Sequence, residues 1–447
     1  MRALLRLPDF THGHAVAWLA QAFVAVAVFL AIPLALTSPL IAGACAVVLI
    51  LAAVSFAVGL ARVGTGLFLV GVTTVPFNAV LPYPGVPWME LCDPFLVAGC
   101  ILLVPRLAGT PLRLPLGFVV GAGGLVTVGF LSAITSDQPG PELKYLVDGL
   151  RGIVFLPVFL TWWRPNQSTI LAIAWAYLLG NVINVGHALL EGEGQAGRYD
   201  GLTTHPNVLG LCAVMALTLV PFMIATVSHK YHALIAIMSI ICVYGIWISG
   251  SRGALLGGMM VALLYPILRR SIPAALAVAA AGLVAFAVIY TFAPRLDEES
   301  ALGRLLGTGS ALRSNDERRE GAKAGLEQFL DHPMLGGGWL TVWGAHDAYI
   351  QVAAAIGIFG FVFYLTVMGS LLRPLLAVPA PYNMLAVPVL ATLILDVALP
   401  VLGARYVWVI VGLALNAYAL AEHSTNPPAP RPVTGQGLRD TAGVARP

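Results

Sequence analysis

PNVLGLCAVMALTLVPFMIATV, residues 206–227, runs for 22 positions without a charged side chain. A helix needs roughly 20 apolar residues to cross a bilayer. A buried soluble helix of that length and uniformity is unusual, so this stretch decides the class. Working outward, similar windows fall at 15–36, 39–60, 64–82, 88–105, 114–135, 143–163 and 168–189. Others fall at 231–249, 252–269, 272–292, 347–371, 380–400 and 404–422. The reading is all-α: a polytopic transmembrane bundle of about 12–14 helices. One long non-cytoplasmic loop, 293–346, carries an amphipathic helix.

Composition agrees. Hydrophobic residues make up 59% of the chain and charged residues only 10%, against about 25% charged in soluble domains. The formal net charge is +3, and no basic run suggests nucleic acid as a partner. Cys45, Cys92, Cys100, Cys212 and Cys242 are scattered through apolar runs with no CxxC spacing. They read as small packing residues rather than a disulfide framework or a zinc site. Arg2 and Arg6 precede the first window, which is long enough to be a retained helix rather than a cleaved signal. Residues 1–422 read as one membrane domain, and 423–447, rich in Pro, Gly and Thr, as a disordered cytoplasmic tail.

Sidedness follows from the positive-inside rule. With both termini in the cytoplasm, Arg62, Arg106, Arg113, Arg164, Lys230, Arg269, Arg270 and Arg373 fall on the cytoplasmic side. The short loops near 37, 84 and 139 lack Lys and Arg. Two non-cytoplasmic segments break the rule. One is 190–205, with Arg198. The other is 293–346, with Arg295, Arg304, Arg313, Arg318, Arg319 and Lys323. These arginines serve either a local anionic ligand or nearby acids such as Asp316, Glu317 and Glu320.

Within the long loop, Ser314-Asn315-Asp316-Glu317 has the form of a capping box that starts a helix. Ala322, Leu326, Phe329 and Leu330 then form an apolar stripe. Arg318 lies four residues before Ala322 on that stripe, whereas Arg319, Lys323 and Glu327 share a solvated face. An arginine facing inward needs a partner: either a carboxylate such as Glu191 or Glu193, or an anion in a pocket. Asp331-His332-Pro333 ends the helix. Gly336-Gly337-Gly338 permits a tight turn or close backbone approach, and His346-Asp347 stands immediately before the next span.

Three pieces line up in order. They are Gly197-Arg198-Tyr199-Asp200-Gly201 with His205-Pro206-Asn207, then Ser249-Gly250-Ser251-Arg252-Gly253, then Arg318 through His332-Pro333-Met334-Leu335-Gly336 to His346. The set, spanning about 195–370, resembles the bacterial O-antigen ligase and O-antigen polymerase superfamily of membrane glycosyltransferases. The resemblance implies transfer of a glycan from a polyprenyl (undecaprenyl-type) diphosphate carrier on the periplasmic face of the inner membrane. The acceptor would be a lipid, lipopolysaccharide among them, a protein or another glycan, with membrane lipids as surroundings. It implies His346 as the catalytic residue, with Arg198, Arg252 and Arg318 on the donor diphosphate. It also implies metal-independent transfer without a cofactor. Many family members have Asn where Asp347 stands. Asp347, Asp200, His205, Asn207 and Arg405 are candidates for supporting roles.

The chemistry stands on its own terms. Arginine grips phosphate oxygens in a bidentate way, and histidine can take a hydroxyl proton near neutral pH. Direct attack would invert the anomeric carbon. His205, His332, His346, Asp200 and Asp347 share no H-x-x-x-H or D-x-D spacing for a metal. Bland roles stay open: Arg198 paired with Asp200, Arg252 as an interfacial anchor, and His346 as a helix-entry residue. Lys144, Asp148 and Arg151 can neutralise one another along one helix, and Asp396 can pair with Arg405. An O-antigen polymerase using the same site is an alternative, as is a lipid-linked glycan transporter (flippase). Gly121, Gly123 and Gly124 within one span would suit either mobility or packing.

Overall fold

The computed structural model describes residues 54, 58–80, 89–269, 271–292, 298–307, 310–340, 342, 345–399 and 402–425. The windows 15–36 and most of 39–60, with Arg2, Arg6 and Cys45, lie outside these residues. So do Arg270, Arg295 and the tail beyond 425.

Helices dominate and no strand occurs among the described residues. Two helices, α1 (Leu60–Thr74) and α2 (Cys92–Leu107), pair closely. They are followed by α3 (Leu116–Thr135) and α4 (Pro139–Leu150). A π-helical turn at Arg151–Phe155 joins α4 to α5 (Leu156–Trp163). Next come α6 (Gln167–Glu191), α7 (Pro206–Thr226), α8 (His232–Ile248), α9 (Arg252–Arg269) and α10 (Ile272–Phe292). The loop helices are α11 (Ala301–Leu305) and α12 (Ala311–Asp331). The chain closes with α13 (Ala348–Leu372), α14 (Pro374–Ala377), α15 (Val387–Leu395), α16 (Arg405–Val411) and α17 (Asn416–Thr425). Among the described residues five helices are long and apolar enough to cross a membrane: 116–135, 167–191, 206–226, 229–248 and 348–377. The protein is therefore an all-α polytopic membrane protein, with α7 nearly enclosed by its neighbours.

Small residues bring the helices together. A Cβ on Gly180 would fall 2.0 Å from the Thr73 carbonyl, so α6 touches α1 backbone to backbone. Gly121 and Gly124 of α3 face Val367 and Phe363 of α13 with no room for a methyl group, while Gly123 meets nothing within 4 Å. Two of these three glycines thus serve packing. Cys92, Cys100, Cys212 and Cys242 are buried and free, as packing residues should be.

The last long span is not continuous. In α13 the backbone leaves helical geometry at Ile356 (φ −128°) and Gly357 (φ 66°). The carbonyls released by the break are taken up from outside the helix. Ala354 O accepts from Gly337 N at 2.9 Å and from Gln328 Nε2 at 3.2 Å. Ala355 O accepts from Gly338 N at 3.1 Å and from Ser132 Oγ at 2.8 Å. Ile358 N donates back to Pro333 O at 2.9 Å. The Gly336–Gly338 run is therefore a clasp on the broken helix: a Cβ at Gly336 would fall 2.3 Å from the Ala355 carbonyl group. This satisfies buried backbone groups that an interrupted helix leaves open.

One expectation for the long loop needs correction. Helix α12 starts at Ala311, one turn before the Ser314–Glu317 box, so Ser314 lies inside the helix. Its start is set instead by Ser310, whose N–H and Oγ both bond the Glu299 carboxylate, at 2.6 and 2.7 Å. The inward face runs through Arg318, Ala322, Gly325, Gln328 and Phe329, with Phe329 packed against the core, so half of the apolar stripe faces the bundle, while Leu326 and Leu330 are 52% and 66% exposed. The clasp holds Gln328 on that inward face. The Arg318 face and the stop at Asp331 are as expected.

A test separates the clasp from ordinary packing. Gly357→Ala meets the Met334 carbonyl at 2.1 Å and forces a side chain to positive φ. It should lower stability by at least about 1–3 kcal/mol. Thermal unfolding of the solubilised protein should show a clear drop in Tm, with Gly123→Ala unchanged as control.

Candidate active site

The site is built on the turn between α8 and α9. Gly250 adopts φ 61°, and a Cβ there would meet Arg198 Nε at 2.7 Å and the Glu299 carbonyl at 2.4 Å. Only glycine allows this approach. The carbonyls of the turn then become acceptors. Arg198 Nε donates to Ser249 O at 2.8 Å, and Arg304 Nη1 donates to Gly250 O at 2.7 Å. The Ser249–Gly253 motif thus contributes two backbone oxygens as well as Arg252.

Arg198 and Arg304 are 5% and 3% exposed. Arg198 also donates to Asn207 Oδ1 at 2.7 Å. It does not make the pair with Asp200 that the sequence left open; the Asp200 backbone carbonyl accepts from Thr203, and Asp200 lines neither cavity described below. Glu299 lies 3.6 Å from Arg304 Nε and also caps α12. In the sequence Arg304 is only one more basic residue of the long 293–346 loop. No motif distinguished it.

These guanidiniums face a cavity of about 320 Å³ lined by Arg198, Arg304, Arg313, Arg318, Glu317 and His346 among others. Four guanidiniums meet one carboxylate there, and that carboxylate pairs with Arg313 at 3.0 Å. Arg318 makes no hydrogen bond or ion pair with a described residue; the acid partner considered for it, Glu191, lies 3.3 Å from His187 instead. Burial lowers the Arg318 pKa, and the charges of Arg252 and Arg304 lower it further. Burial likewise pushes Arg198 down to about 9, with Arg304 next in effect, so it stays cationic at neutral pH. Arg252 does not line the cavity. Its charge nevertheless acts on Arg304 and Arg318.

Two histidines stand at the edge of this cavity, and His205, Asn207 and His346 also line a second cavity of about 740 Å³. His205 caps α7: its Nδ1 accepts from Asn207 N at 3.0 Å. That bond fixes the neutral tautomer with the proton on Nε2. Burial, then the Arg198 charge, lowers its pKa to about 4. His346 sits at φ 50°, and burial followed by the Arg318 charge lowers its pKa below the usual value. Asp347 does not orient it through Oδ1. That oxygen accepts from Tyr349 N and Ile350 N at 2.9 and 3.0 Å, so it caps α13.

The remaining candidates fall elsewhere. His332 is exposed at the end of α12. Arg405 lines the larger cavity and binds Glu90 Oε1 at 2.5 Å and Asp93 Oδ1 at 2.7 Å. It does not pair with Asp396, which accepts from the Tyr364 hydroxyl. Arg151 pairs with Asp148, as the helical spacing allows, and Lys144 is exposed. Glu142, 2% exposed, accepts from Trp339 N at 2.6 Å and Leu340 N at 3.0 Å. It anchors the loop after the glycine clasp, a role that no sequence motif announced. Among the described residues no group of three or more His, Cys, Asp or Glu could hold a metal ion.

An excess of guanidinium in a confined cavity suits a polyanion. Inorganic diphosphate should raise the Tm of the solubilised protein, as any ligand of the folded state does. Arg318→Ala should weaken that protection about tenfold in apparent Kd, the scale of one lost charge-assisted hydrogen bond. Exposed Arg319→Ala should leave it unchanged.

No curated protein matches the chain. Residues 237–365 match the family model described as O-antigen ligase. The matched segment holds Arg252, Arg304, Arg318 and His346, while Arg198, His205 and Asn207 lie before it and complete the same cavity. This segment, less than a third of the chain, is similar to the O-antigen ligase family, and that similarity supports a membrane glycan-transfer enzyme.

Proposed function

We propose that the protein transfers a glycan from a polyprenyl-diphosphate carrier to an acceptor hydroxyl on the non-cytoplasmic face of the membrane, as an O-antigen ligase. The observation that carries the reading is the cavity with four guanidiniums, one of them without a described partner, and His346 at its edge. Arg198, Arg304 and Arg318 hold the diphosphate, and Arg252, outside the lining, adds positive charge. His346 takes the proton from the acceptor hydroxyl. The acceptor oxygen then bonds the anomeric carbon, the bond from that carbon to the diphosphate breaks, and the electron pair leaves on the carrier diphosphate. The guanidiniums stabilise the charge that develops there. One well-placed donor of this kind contributes about 3–4 kcal/mol of transition-state stabilisation. Attack and departure on opposite faces invert the anomeric centre, and the scheme needs no metal ion.

The lowered pKa of His346 supports its role. An imidazole that loses its proton below the usual 6.5 is already a neutral base at pH 7. His205 suits a different task, because its tautomer leaves only Nε2–H to offer. It is a neutral donor for a phosphate or acceptor oxygen.

The experiment is transfer by the purified protein in lipid, with a polyprenyl-diphosphate oligosaccharide and a lipid-linked saccharide acceptor. His346→Ala should cut kcat by about 10²–10⁴-fold, the scale of general base catalysis, with folding intact. Wild-type activity should be flat across neutral pH. It should fall in acid, with an apparent pKa below 6.5, as His346 becomes protonated. EDTA should leave turnover unchanged. A near-wild-type His346→Ala enzyme would remove the base from the mechanism.

A further inference from the structure

The two cavities that meet at His205, Asn207 and His346 differ in charge. The smaller has four guanidiniums against one carboxylate. The larger, about 740 Å³, has its charges balanced: Arg405 beside Glu90, and Arg151 beside Asp148. Asp93 reinforces the first pair from behind, on Arg405 Nε. Both pairs remain partly open to the cavity, the second at about a third exposure on each partner. Tyr145 and Trp339 also line the space, and Trp339 is fixed in place through its backbone N–H by Glu142.

Each candidate occupant meets a different cost. A hydrocarbon chain would find apolar wall at residues such as Leu125, Ile153 and Leu211, but it would strip water from two ion pairs and return no hydrogen bonds. An anionic ligand would meet Glu90 and Asp148 while a strongly cationic cavity lies next door. A neutral, hydroxyl-rich ring replaces water at both carboxylates and both guanidiniums, and its apolar face suits an aromatic wall. The volume lies within the range of pockets that bury small ligands, about 300–1,000 Å³.

We infer that the larger cavity is a subsite for an uncharged saccharide ring, whose hydroxyls donate to Glu90 and Asp148 and accept from Arg405 and Arg151, with Tyr145 and Trp339 as its aromatic walls. The inference rests on the glycan-transfer reading above and adds to it: the sugar beside the reacting centre carries no charge. The ring belongs either to the acceptor or to the donor glycan, because both must approach His346.

The test uses the full chain in lipid nanodiscs and saturation-transfer NMR. The probes are methyl β-D-glucopyranoside, methyl β-D-galactopyranoside and sodium glucuronate. The neutral glycosides should show saturation, and glucuronate about tenfold less. Asp148→Asn and Trp339→Leu should each lose about tenfold of the glycoside signal, while stabilisation by inorganic diphosphate stays at the wild-type level. Glu90→Gln serves as a further variant, with Tm checked because Glu90 holds Arg405. Equal saturation in wild type and both first variants overturns the inference. So does a preference for glucuronate, or displacement of the glycosides by farnesol, which would assign the space to a carrier chain. Steady-state transfer then assigns the ring: a raised KM for the acceptor alone places it there, and a raised KM for the donor alone places it in the donor glycan. Absence of diphosphate binding and of turnover in wild type would instead sink the transfer reading and leave the saccharide signal to be judged by itself.

Discussion

Positive charge held in place by backbone oxygen is the constraint on which the site depends. Beyond the effect of burial, the charges of Arg304, Arg318 and Arg252 lower the pKa of Arg198, those of Arg252 and Arg304 lower that of Arg318, and that of Arg252 lowers that of Arg304. Like charges at such range cost stability, and burial adds a desolvation cost. What holds them is the Ser249–Gly250 turn, which gives a carbonyl to Arg198 and another to Arg304. Carbonyls and the Asn207 amide oxygen orient a guanidinium without neutralising it. Glu299 offsets part of the repulsion, yet it also caps α12 through Ser310. Protein bonds therefore fix the cluster while its charge stays available.

His346 depends on a second structure, the break in α13. The clasp from Pro333 to Gly338 ties the end of α12 to the middle of α13 through the Ala354 and Ala355 carbonyls. Asp347 caps the first turn of the same helix, and Ala348 N bonds the Asp396 carbonyl at 2.7 Å. His346 is thus held at the start of a helix that is anchored both at its cap and at its break. The positive φ at His346 fits a residue whose position is imposed by such surroundings.

Much of this could be read from the sequence, and the parts that could not share a cause. Span positions were legible because apolar length is a local property: the window 347–371 is α13 within a residue at each end. Arg198 and Arg318 stand out in the sequence as basic residues on segments that the positive-inside rule assigns to the non-cytoplasmic face, and His346 through its place just before a span and the family resemblance. The break at Gly357 was not, since its carbonyls are satisfied by Gly337 and Gly338, some 20 residues away, and by Ser132, more distant still. Arg304 was hidden because its worth lies in the carbonyl it meets, not in its neighbours in sequence. Glu142 looked like an ordinary first-turn acid, and only the fold brings Trp339 to it. The capping box at Ser314 misled for the same reason: Glu299 supplies a stronger start one turn earlier.

The partition between the cavities brings these strands together. His205, Asn207 and His346 are walls of both spaces. A group bound on either side approaches the same imidazoles, so proximity is supplied by architecture rather than by a moving part. The electrostatics differ across that wall: unbalanced guanidinium on one side, matched ion pairs on the other. Under the proposed transfer, a leaving diphosphate would be stabilised on the first side, and the proton released by a hydroxyl on the second would meet an imidazole rather than another cation. Burial first, and then the charges of Arg198 and Arg318, lower the pKa values of His205 and His346 respectively, so an arginine cluster that held an anion would also disfavour protonation of the adjacent imidazoles. The same arginines would therefore serve both halves of a transfer across the wall.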